Sequence, residues 1–173
     1  AYVQSEEADV ADVSAREAAS IGRYAHHAWW EWNETVEDAR AIDGALQAVG
    51  IAALAARNVR TLSTGERQRV WLALALAQGA PALLLDEPTS HLDIRVAHDI
   101  LALLRAQARA GKAVLCAMHD LNDAAAYADR IVLLGEGRAL ACDIPPKALT
   151  EPLLHSAYGI AMEDLRAAIA GAN

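Results

Sequence analysis

The chain has 173 residues, of which 54% are hydrophobic, and its formal net charge at pH 7 is −8. This length suffices for one domain with a buried core. No apolar run approaches the roughly 18 residues that cross a bilayer, and the negative charge opposes binding to nucleic acid, which depends on clustered Lys and Arg. The first residues resemble no secretory signal, so we expect a cytoplasmic protein.

The first third of the chain predicts two short helices. Apolar residues recur at helical spacing over residues 14–21 and 35–49. Gly22 and Gly50 follow these runs at the positions where C-terminal caps belong.

Between these helices, residues 24–32 contain half of the aromatic residues of the chain, including Trp29, Trp30 and Trp32. This aromatic segment is either a local cluster that closes a loop or a surface on which a partner docks. It also contains His26 and His27, but adjacent side chains diverge on a helix or strand, so we do not expect them to share a metal ion.

The middle of the chain predicts alternating helices and strands. In chain order these elements are helix 66–79, strand 82–85, helix 96–110, strand 113–118 and helix 120–127. Strand 82–85 is wholly apolar, which is typical of a central parallel strand that is buried on both faces. The alternation indicates an α/β fold with right-handed crossovers.

The end of the chain predicts a hairpin, in which strands 130–134 and 138–142 flank Gly135-Glu136-Gly137, followed by short helices over 145–170. The two cysteines, Cys116 and Cys142, lie in apolar or strand-like stretches without the spacing of metal ligands. We expect both thiols to be reduced and structural.

Asp86 and Glu87 directly follow the apolar strand. The carboxyl ends of parallel strands face the crevice in which open α/β sheets bind ligands. Asp86 is therefore a candidate Mg²⁺ partner, and Glu87 could polarise a water that attacks a phosphate. The alternative is a solvated strand end without chemistry.

Leu62-Ser63-Thr64-Gly65-Glu66 lies about twenty residues upstream and opens the helix predicted over 66–79. The N–H groups and dipole of a helix start suit a phosphate, and Gly65 would let the backbone approach it closely. Taken alone, Ser63 and Glu66 also fit a simple capping box, Ser-x-x-Glu.

Taken together, these motifs resemble those of the ABC ATPases, from Gln4 to about Gly159. Residues 62–69 resemble the ABC signature, 82–87 the Walker B strand and 90–93 the D-loop, while His119 resembles the switch histidine and Gln4 the Q-loop glutamine. The order of five motifs makes accidental similarity improbable. The implied fold is α/β: the C-terminal part of a P-loop NTPase, with a mainly parallel sheet and a helical signature subdomain at about 5–80, followed by the region 81–173.

The resemblance implies a dimer of two such subunits that encloses two ATP molecules. Ser63, Thr64, Gly65 and Glu66 would then serve the ATP of the partner. Glu87 would be the general base, Asp86 and Gln4 would hold Mg²⁺ through water, His119 would contact the γ-phosphate, and Asp93 would couple the two sites.

Two departures from the family pattern stand out. Thr64 replaces the usual glycine, and a β-branched residue resists positive φ and crowds a phosphate. The P-loop pattern G-x-x-x-x-G-K-[ST] is absent, because the one Gly-Lys pair, Gly111-Lys112, lacks the first glycine and the Ser or Thr. We therefore expect a chain that is truncated upstream of Gln4 and inactive by itself.

Several short stretches resemble the importers of iron chelates, haem or cobalamin, among them Gly22 to His26 and His119 to Asn122. The resemblance implies a transmembrane permease as partner, a peripheral location on the cytoplasmic face of the membrane, and the aromatic segment as docking surface. An ABC ATPase of DNA repair would carry a long coiled coil, which the stretch 5–61 lacks. A non-catalytic remnant of the family is the other alternative.

Overall fold

The computed structural model of the chain describes residues 1–3, 12–28 and 33–159. It contains two compact units, one of residues 1–119 and one that begins at Asp120. Among the described residues, no helix combines the length and the apolar character needed to cross a membrane. The elements of the first unit are β1 (Tyr2–Val3), α1 (Ala15–Ser20), α2 (Val36–Ala48), α3 (Thr64–Ala77), β2 (Ala82–Asp86), α4 (Ile94–Arg109) and β3 (Ala113–Ala117). Three short 3-10 helices, Ile21–His26, Ala52–Leu54 and Val59–Thr61, lie between them.

The first three α-helices begin in the same way. Ser14, Thr35 and Ser63 each accept a hydrogen bond from the backbone N–H three residues on, and the acidic side chain at that position accepts one from the backbone of the cap. These capping boxes satisfy N–H groups that a helix start would otherwise leave unpaired. Ser63 and Glu66 therefore form the capping box that their spacing predicts.

The first three α-helices pack on one another around a buried core. Its members are fully or almost fully buried: Ala15, Ala18, Ala19, Ile42, Leu46, Val70, Leu72 and Ala73. Gly22 does not act as the predicted C-terminal cap, since α1 continues into the 3-10 helix Ile21–His26 and Gly22 has no positive φ. Instead, a Cβ at Gly22 would lie 2.2 Å from the carbonyl oxygen of Leu74 in α3. This glycine is needed for a close approach of two backbones.

The sheet of the first unit has the strand order β1-β2-β3, and both pairings are parallel. Leu83 and Leu85 are buried, whereas Leu84 is 46% exposed and its cross-strand partner Leu115 is 60% exposed. The expectation of a strand buried on both faces is therefore wrong for the described residues, because α3 and α4 pack on the sheet while the face of Leu84 and Leu115 remains open.

The second unit contains an antiparallel hairpin, as predicted. Its elements are α5 (Leu121–Tyr127), β4 (Ile131–Gly135), β5 (Arg138–Asp143), α6 (Pro145–Ala148) and α7 (Glu151–Tyr158). The register shifts between Leu133 and Leu134, which marks a β-bulge. Glu136 has a φ of 51° and Gly137 one of 73°, as a tight turn between twisted strands requires. The helices α6 and α7 pack on this hairpin.

Candidate active site

Glu87 and His119 lie side by side at the ends of two neighbouring strands. The N–H of Glu87 donates to the carbonyl of Ala117 at 3.0 Å, which extends the β2–β3 pairing by one residue. This register brings His119 Nε2 to 2.5 Å from Glu87 Oε1. Two residues that are 32 positions apart in the sequence are thus joined by the parallel sheet, as expected for strand ends that share one edge.

The backbone at Glu87 has a φ of 45°, which is uncommon for a residue other than glycine. The carbonyl of Glu87 accepts hydrogen bonds from the N–H and the hydroxyl of Ser90, at 3.1 and 3.0 Å, and the intervening Pro88 is fully buried. A tight turn therefore fixes the direction in which the Glu87 side chain leaves the sheet. Non-glycine residues in this conformation cluster at functional sites.

The pair of Glu87 and His119 is open to solvent on one side. The His119 side chain is 84% exposed and that of Glu87 is 34% exposed. Water can therefore reach the carboxylate, while the imidazole is placed to exchange a proton with it or to orient it. Such a pair suits general base chemistry on a ligand that approaches from the open side.

Asp86, the last residue of β2, adds a second carboxylate next to this pair and is half-buried. Within the described residues, no group of three or more His, Cys, Asp and Glu is arranged to hold a metal ion. Mg²⁺ does not need such a cage, because it commonly binds through one or two carboxylates, water and substrate phosphates. The carboxylate chemistry at the end of β2 therefore fits Mg²⁺ bound together with a nucleotide.

The predicted signature residues lie at the start of α3, the capping box of which holds Ser63 and Glu66 together. The Ser63 hydroxyl and N–H each donate to Glu66 Oε2 at 2.8 Å. Both bonds lower the pKa of Glu66 below its ordinary value, the backbone bond more than the hydroxyl bond. Thr64 is the first residue of the helix and has no positive φ, so the predicted conformational conflict of a β-branched residue does not arise here.

The predicted D-loop residue Asp93 is the N-cap of α4, and its carboxylate accepts from the N–H of Val96 at 2.9 Å. His91 precedes it with a φ of 59°, the second left-handed residue in this stretch. The starts of α3 and α4 line one cleft, with the residues Ser63, Thr64, Gly65, Glu66, Arg69, His91, Leu92, Asp93 and Val96. The four predicted signature residues and the predicted D-loop residue Asp93 thus lie around a single cleft.

Gln4, Trp29, Trp30 and Trp32 lie outside the described residues, so their predicted roles stay predictions. His26 and His27 of the aromatic segment contact different elements. His26 Nε2 donates to the carbonyl of Gln78 at 2.7 Å, next to the end of α3, and His27 contacts Asp38 of α2.

Sequence reasoning missed a buried polar cluster that we call the Asp38 cluster: Arg23, His27, Thr35 and Asp38. Asp38 is 2% exposed, and its carboxylate accepts from Arg23 Nε and His27 Nε2, both at 2.8 Å, and from the hydroxyl and N–H of Thr35 at 2.5 and 2.9 Å. The Thr35 hydroxyl and the Arg23 guanidinium hold the pKa of Asp38 well below its usual range. Arg23 also donates to the carbonyl of Ala77 at 3.1 Å. The spacing Thr-x-x-Asp could have indicated part of this cluster as a capping box.

Known proteins resemble this chain over most of its length. Residues 1–90 match the family model described as ABC transporter. The chain is 47% identical to the hemin import ATP-binding protein HmuV of Deinococcus radiodurans over 73% of this chain and 50% of the relative. It is 40% identical to the ferric enterobactin transport ATP-binding protein FepC of Escherichia coli over 86% of this chain and 55% of the relative. The chain spans about half the length of these curated relatives.

Solved structures agree with the sequence relatives. The structure of a metal-chelate type ABC transporter in an inward-facing conformation superposes with a TM-score of 0.86 at 25% identity, covering 92% of this chain and 63% of that one. CbiO1 of Clostridium perfringens, described as part of the ABC transporter complex CbiONQ, superposes with a TM-score of 0.75 at 27% identity, covering 88% of this chain and 60% of that one. The family and fold expected from the motifs are confirmed: this chain belongs to the ABC transporter ATP-binding family.

Proposed function

We propose that this chain forms the signature, Walker B, D-loop and switch portion of an ATP hydrolase that drives an ABC importer. The observation that carries this proposal is the pair of Glu87 and His119, joined at 2.5 Å beside Asp86. A base, a histidine and a second carboxylate at the carboxyl ends of two parallel strands are among the groups that phosphoryl transfer to water needs, since this reaction relies on positioning and charge compensation.

Each residue has a distinct part in this proposal. Glu87 accepts a proton from the attacking water, and His119 orients the Glu87 carboxylate and contacts the γ-phosphate. Asp86 and Gln4 would hold Mg²⁺ through water molecules. Mg²⁺, when bound, neutralises developing charge on the phosphate oxygens.

The cleft at the starts of α3 and α4 serves the nucleotide of a second copy of the subunit in a homodimer. Two helix N-termini meet there, and helix starts favour anions through their free N–H groups and dipole. Ser63, Thr64, Gly65 and Glu66 face the terminal phosphate of the partner's ATP. Asp93, at the start of α4, links the two sites across the dimer.

Hydrolysis requires a phosphate-binding P-loop in addition to the residues of this chain. Two observations support this part of the proposal: the chain spans about half the length of its relatives, and the apolar face of Leu84 and Leu115 is open. An exposed apolar sheet face is typical of a surface that another layer covers. The chain alone should hydrolyse ATP negligibly, because the Lys and backbone cradle of the β- and γ-phosphates are missing.

The transported substrate belongs to the class of iron chelates, haem and cobalamin-like molecules. The relatives named above support this class, and so does a cobalamin import ATP-binding protein of Halobacterium salinarum that is 40% identical over 85% of this chain and 36% of the relative. The ATPase would lie on the cytoplasmic face of the membrane, bound to a permease through the aromatic segment. Tyr24, which is 63% exposed, is the described aromatic residue of that segment and is available for such a contact.

The test compares the chain alone with an extended protein, which we define as this chain preceded by the coding sequence in frame upstream of Ala1. Calorimetric titration of the chain alone with Mg-ATP should detect no binding tighter than about millimolar. The extended protein should bind ATP and hydrolyse it. Micromolar binding by the chain alone would reveal a different phosphate site, and an upstream sequence without a P-loop would favour a non-catalytic remnant.

The docking role of the aromatic segment has its own test. Replacing Trp29, Trp30 or Trp32 by Ala should cost about 1–3 kcal/mol each in permease affinity and leave basal ATP hydrolysis of the extended protein intact. If these residues only close a local core, the melting temperature and hydrolysis should fall together, with or without the permease. Normal permease pull-down and substrate uptake in all three variants would refute docking.

A further inference from the structure

The glycine of the signature motif makes a close contact within its own subunit. Gly65 is the second residue of α3, and its φ is not positive, so its backbone conformation does not demand glycine. A Cβ built at Gly65 would lie 2.8 Å from Cγ1 of Val96, 3.5 Å from its Cγ2 and 3.6 Å from its Cβ. The first of these distances is well below van der Waals contact between carbon atoms, which lies near 3.5–4.0 Å.

Val96 has little freedom to move away from an added methyl group. It lies in the first turn of α4, where its N–H is held by the Asp93 carboxylate at 2.9 Å. A β-branched side chain in a helix keeps essentially one χ1 rotamer. A Cβ added at Gly65 would therefore clash with Val96, and rotation of the valine side chain could not relieve that clash.

A second contact joins the same two helices one turn further along. Arg69 of α3 forms an ion pair with Asp99 of α4 at 3.1 Å, and its other terminal nitrogen donates to the carbonyl of Val49 at 2.9 Å. The Arg69 guanidinium thus ties the start of α4 to the first turns of α3. An apolar contact and an ion pair thus join the first turns of the two helices.

We propose that Val96 is a positioning residue, the side chain of which sets the distance between the signature motif and the D-loop, and that this contact is the reason for glycine at position 65. The inference rests on the proposed function and adds an internal link to it. Ser63 and Asp93, the caps of α3 and α4, line the same cleft, so a change at the Val96 contact moves one relative to the other. The alternative reason for Gly65 is room for an approaching phosphate.

These two reasons predict opposite results for the stability of the chain itself. If Val96 is the obstacle, Gly65→Ala should lower the melting temperature by about 2–10 °C through overpacking. In a Val96→Ala background, the two Val96 methyl groups nearest to the added Cβ would be gone, and the nearest side-chain atom of residue 96 would be its Cβ, at 3.6 Å. There the same substitution should become neutral or stabilising.

Gly44 supplies a matched control, because it lies within α2 and an added Cβ would meet nothing within 4 Å. Gly44→Ala should raise the melting temperature by about 1–4 °C, as expected for Ala in a helix interior. If only a nucleotide limits the size of residue 65, Gly65→Ala should leave the melting temperature unchanged or raise it slightly, because Gly65 lies in the first turn of α3 rather than in the helix interior. An equal effect of Gly65→Ala in the wild-type and the Val96→Ala backgrounds would overturn the proposed contact.

Turnover in the extended protein, measured well below the melting temperatures, tests the positioning role. Gly65→Ala should lower kcat about tenfold or more, since small misplacements of a site are costly, and adding Val96→Ala should recover most of the loss. Unchanged kcat in Gly65→Ala would reduce the contact to a structural one. A loss that Val96→Ala does not recover would show that the nucleotide, and not Val96, limits the size of residue 65. If the wild-type extended protein hydrolyses no ATP, the proposed function fails, whereas the melting data still decide whether Val96 restricts residue 65.

Discussion

Two pairs of a carboxylate and a histidine in the described part of the first unit differ in nearly every physical respect. In the Asp38 cluster, the carboxylate is 2% exposed and accepts hydrogen bonds from Arg23, His27 and Thr35. At the end of the sheet, Glu87 contacts His119 at 2.5 Å, and the imidazole is 84% exposed. The first pair is enclosed by its partners, and the second is open to solvent.

This difference separates a structural carboxylate from the proposed catalytic one. A buried carboxylate whose oxygens are occupied stays ionised and holds together the elements that donate to it, here α2, the 3-10 helix Ile21–His26 and, through Arg23, the end of α3. A carboxylate with an accessible face can exchange a proton with water. Proximity of acid and histidine alone does not distinguish these roles, whereas exposure and the number of donors do.

The largest effect that would test the comparison is loss of the guanidinium from the Asp38 cluster. Arg23→Met should destabilise the chain by about 3–5 kcal/mol, because it leaves a buried charge with fewer partners. Chemical denaturation of the chain by itself measures this change. A loss below about 1 kcal/mol would mean that His27 and Thr35 suffice, and that the cluster does not depend on its ion pair.

Glu87→Gln should give the opposite pattern. In the extended protein, this substitution should leave the melting temperature within about 2 °C and lower turnover roughly 10²-fold or more, about 2.7 kcal/mol, because it keeps the shape of the side chain but removes the base. ATP should still bind and should trap a dimer visible by size exclusion. Retained hydrolysis, or a monomer in the presence of ATP, would count against Glu87 as the base.

The smallest expected effect is a change in thermal stability at acidic pH. The pKa of Asp38 is lowered in the folded chain by the Thr35 hydroxyl and by Arg23, so its ionisation stabilises the fold above the unfolded pKa of about 4 and loses that contribution as the pH falls below it. The difference in melting temperature between the wild type and Asp38→Asn should therefore be constant from pH 7 to 5 and shrink below about pH 4. A difference that persists undiminished at pH 2.5 would contradict the low pKa.

The sequence predicted those features that depend on local pattern. Gly50, Gly79 and Gly111 end their helices with positive φ as expected, and the apolar run before Asp86 forms the predicted strand. It did not predict features that depend on long-range packing. The contact of Gly22 with Leu74 and that of Gly65 with Val96 join residues far apart in the chain. In the sequence, a glycine that caps a helix cannot be told from one that lets another helix pack closely.

The same limit applies to the candidate site. The order of motifs indicated Glu87 and His119, and their contact follows from the parallel register of β2 and β3. The Asp38 cluster was not predicted. An aspartate is rarely buried unless it is paired, and the partner of Asp38, Arg23, lies 15 positions away, too far for local spacing to indicate the pair. The open face at Leu84 and Leu115 was likewise not predicted, since an apolar strand looks the same whether one face or both are covered.

The left-handed backbone at Glu87 has a consequence for how this protein could evolve. A φ of 45° is adopted by glycine without steric cost, whereas other residues adopt it at a cost on the order of 1–3 kcal/mol. Selection for folding stability alone would favour glycine at this position, and such a variant would lack a carboxylate beside His119. Under the proposed function, the glutamate is a compromise in which conformational ease is given up for reactivity. Substitutions on this turn that are found by screening for thermal tolerance should then be tested for loss of activity.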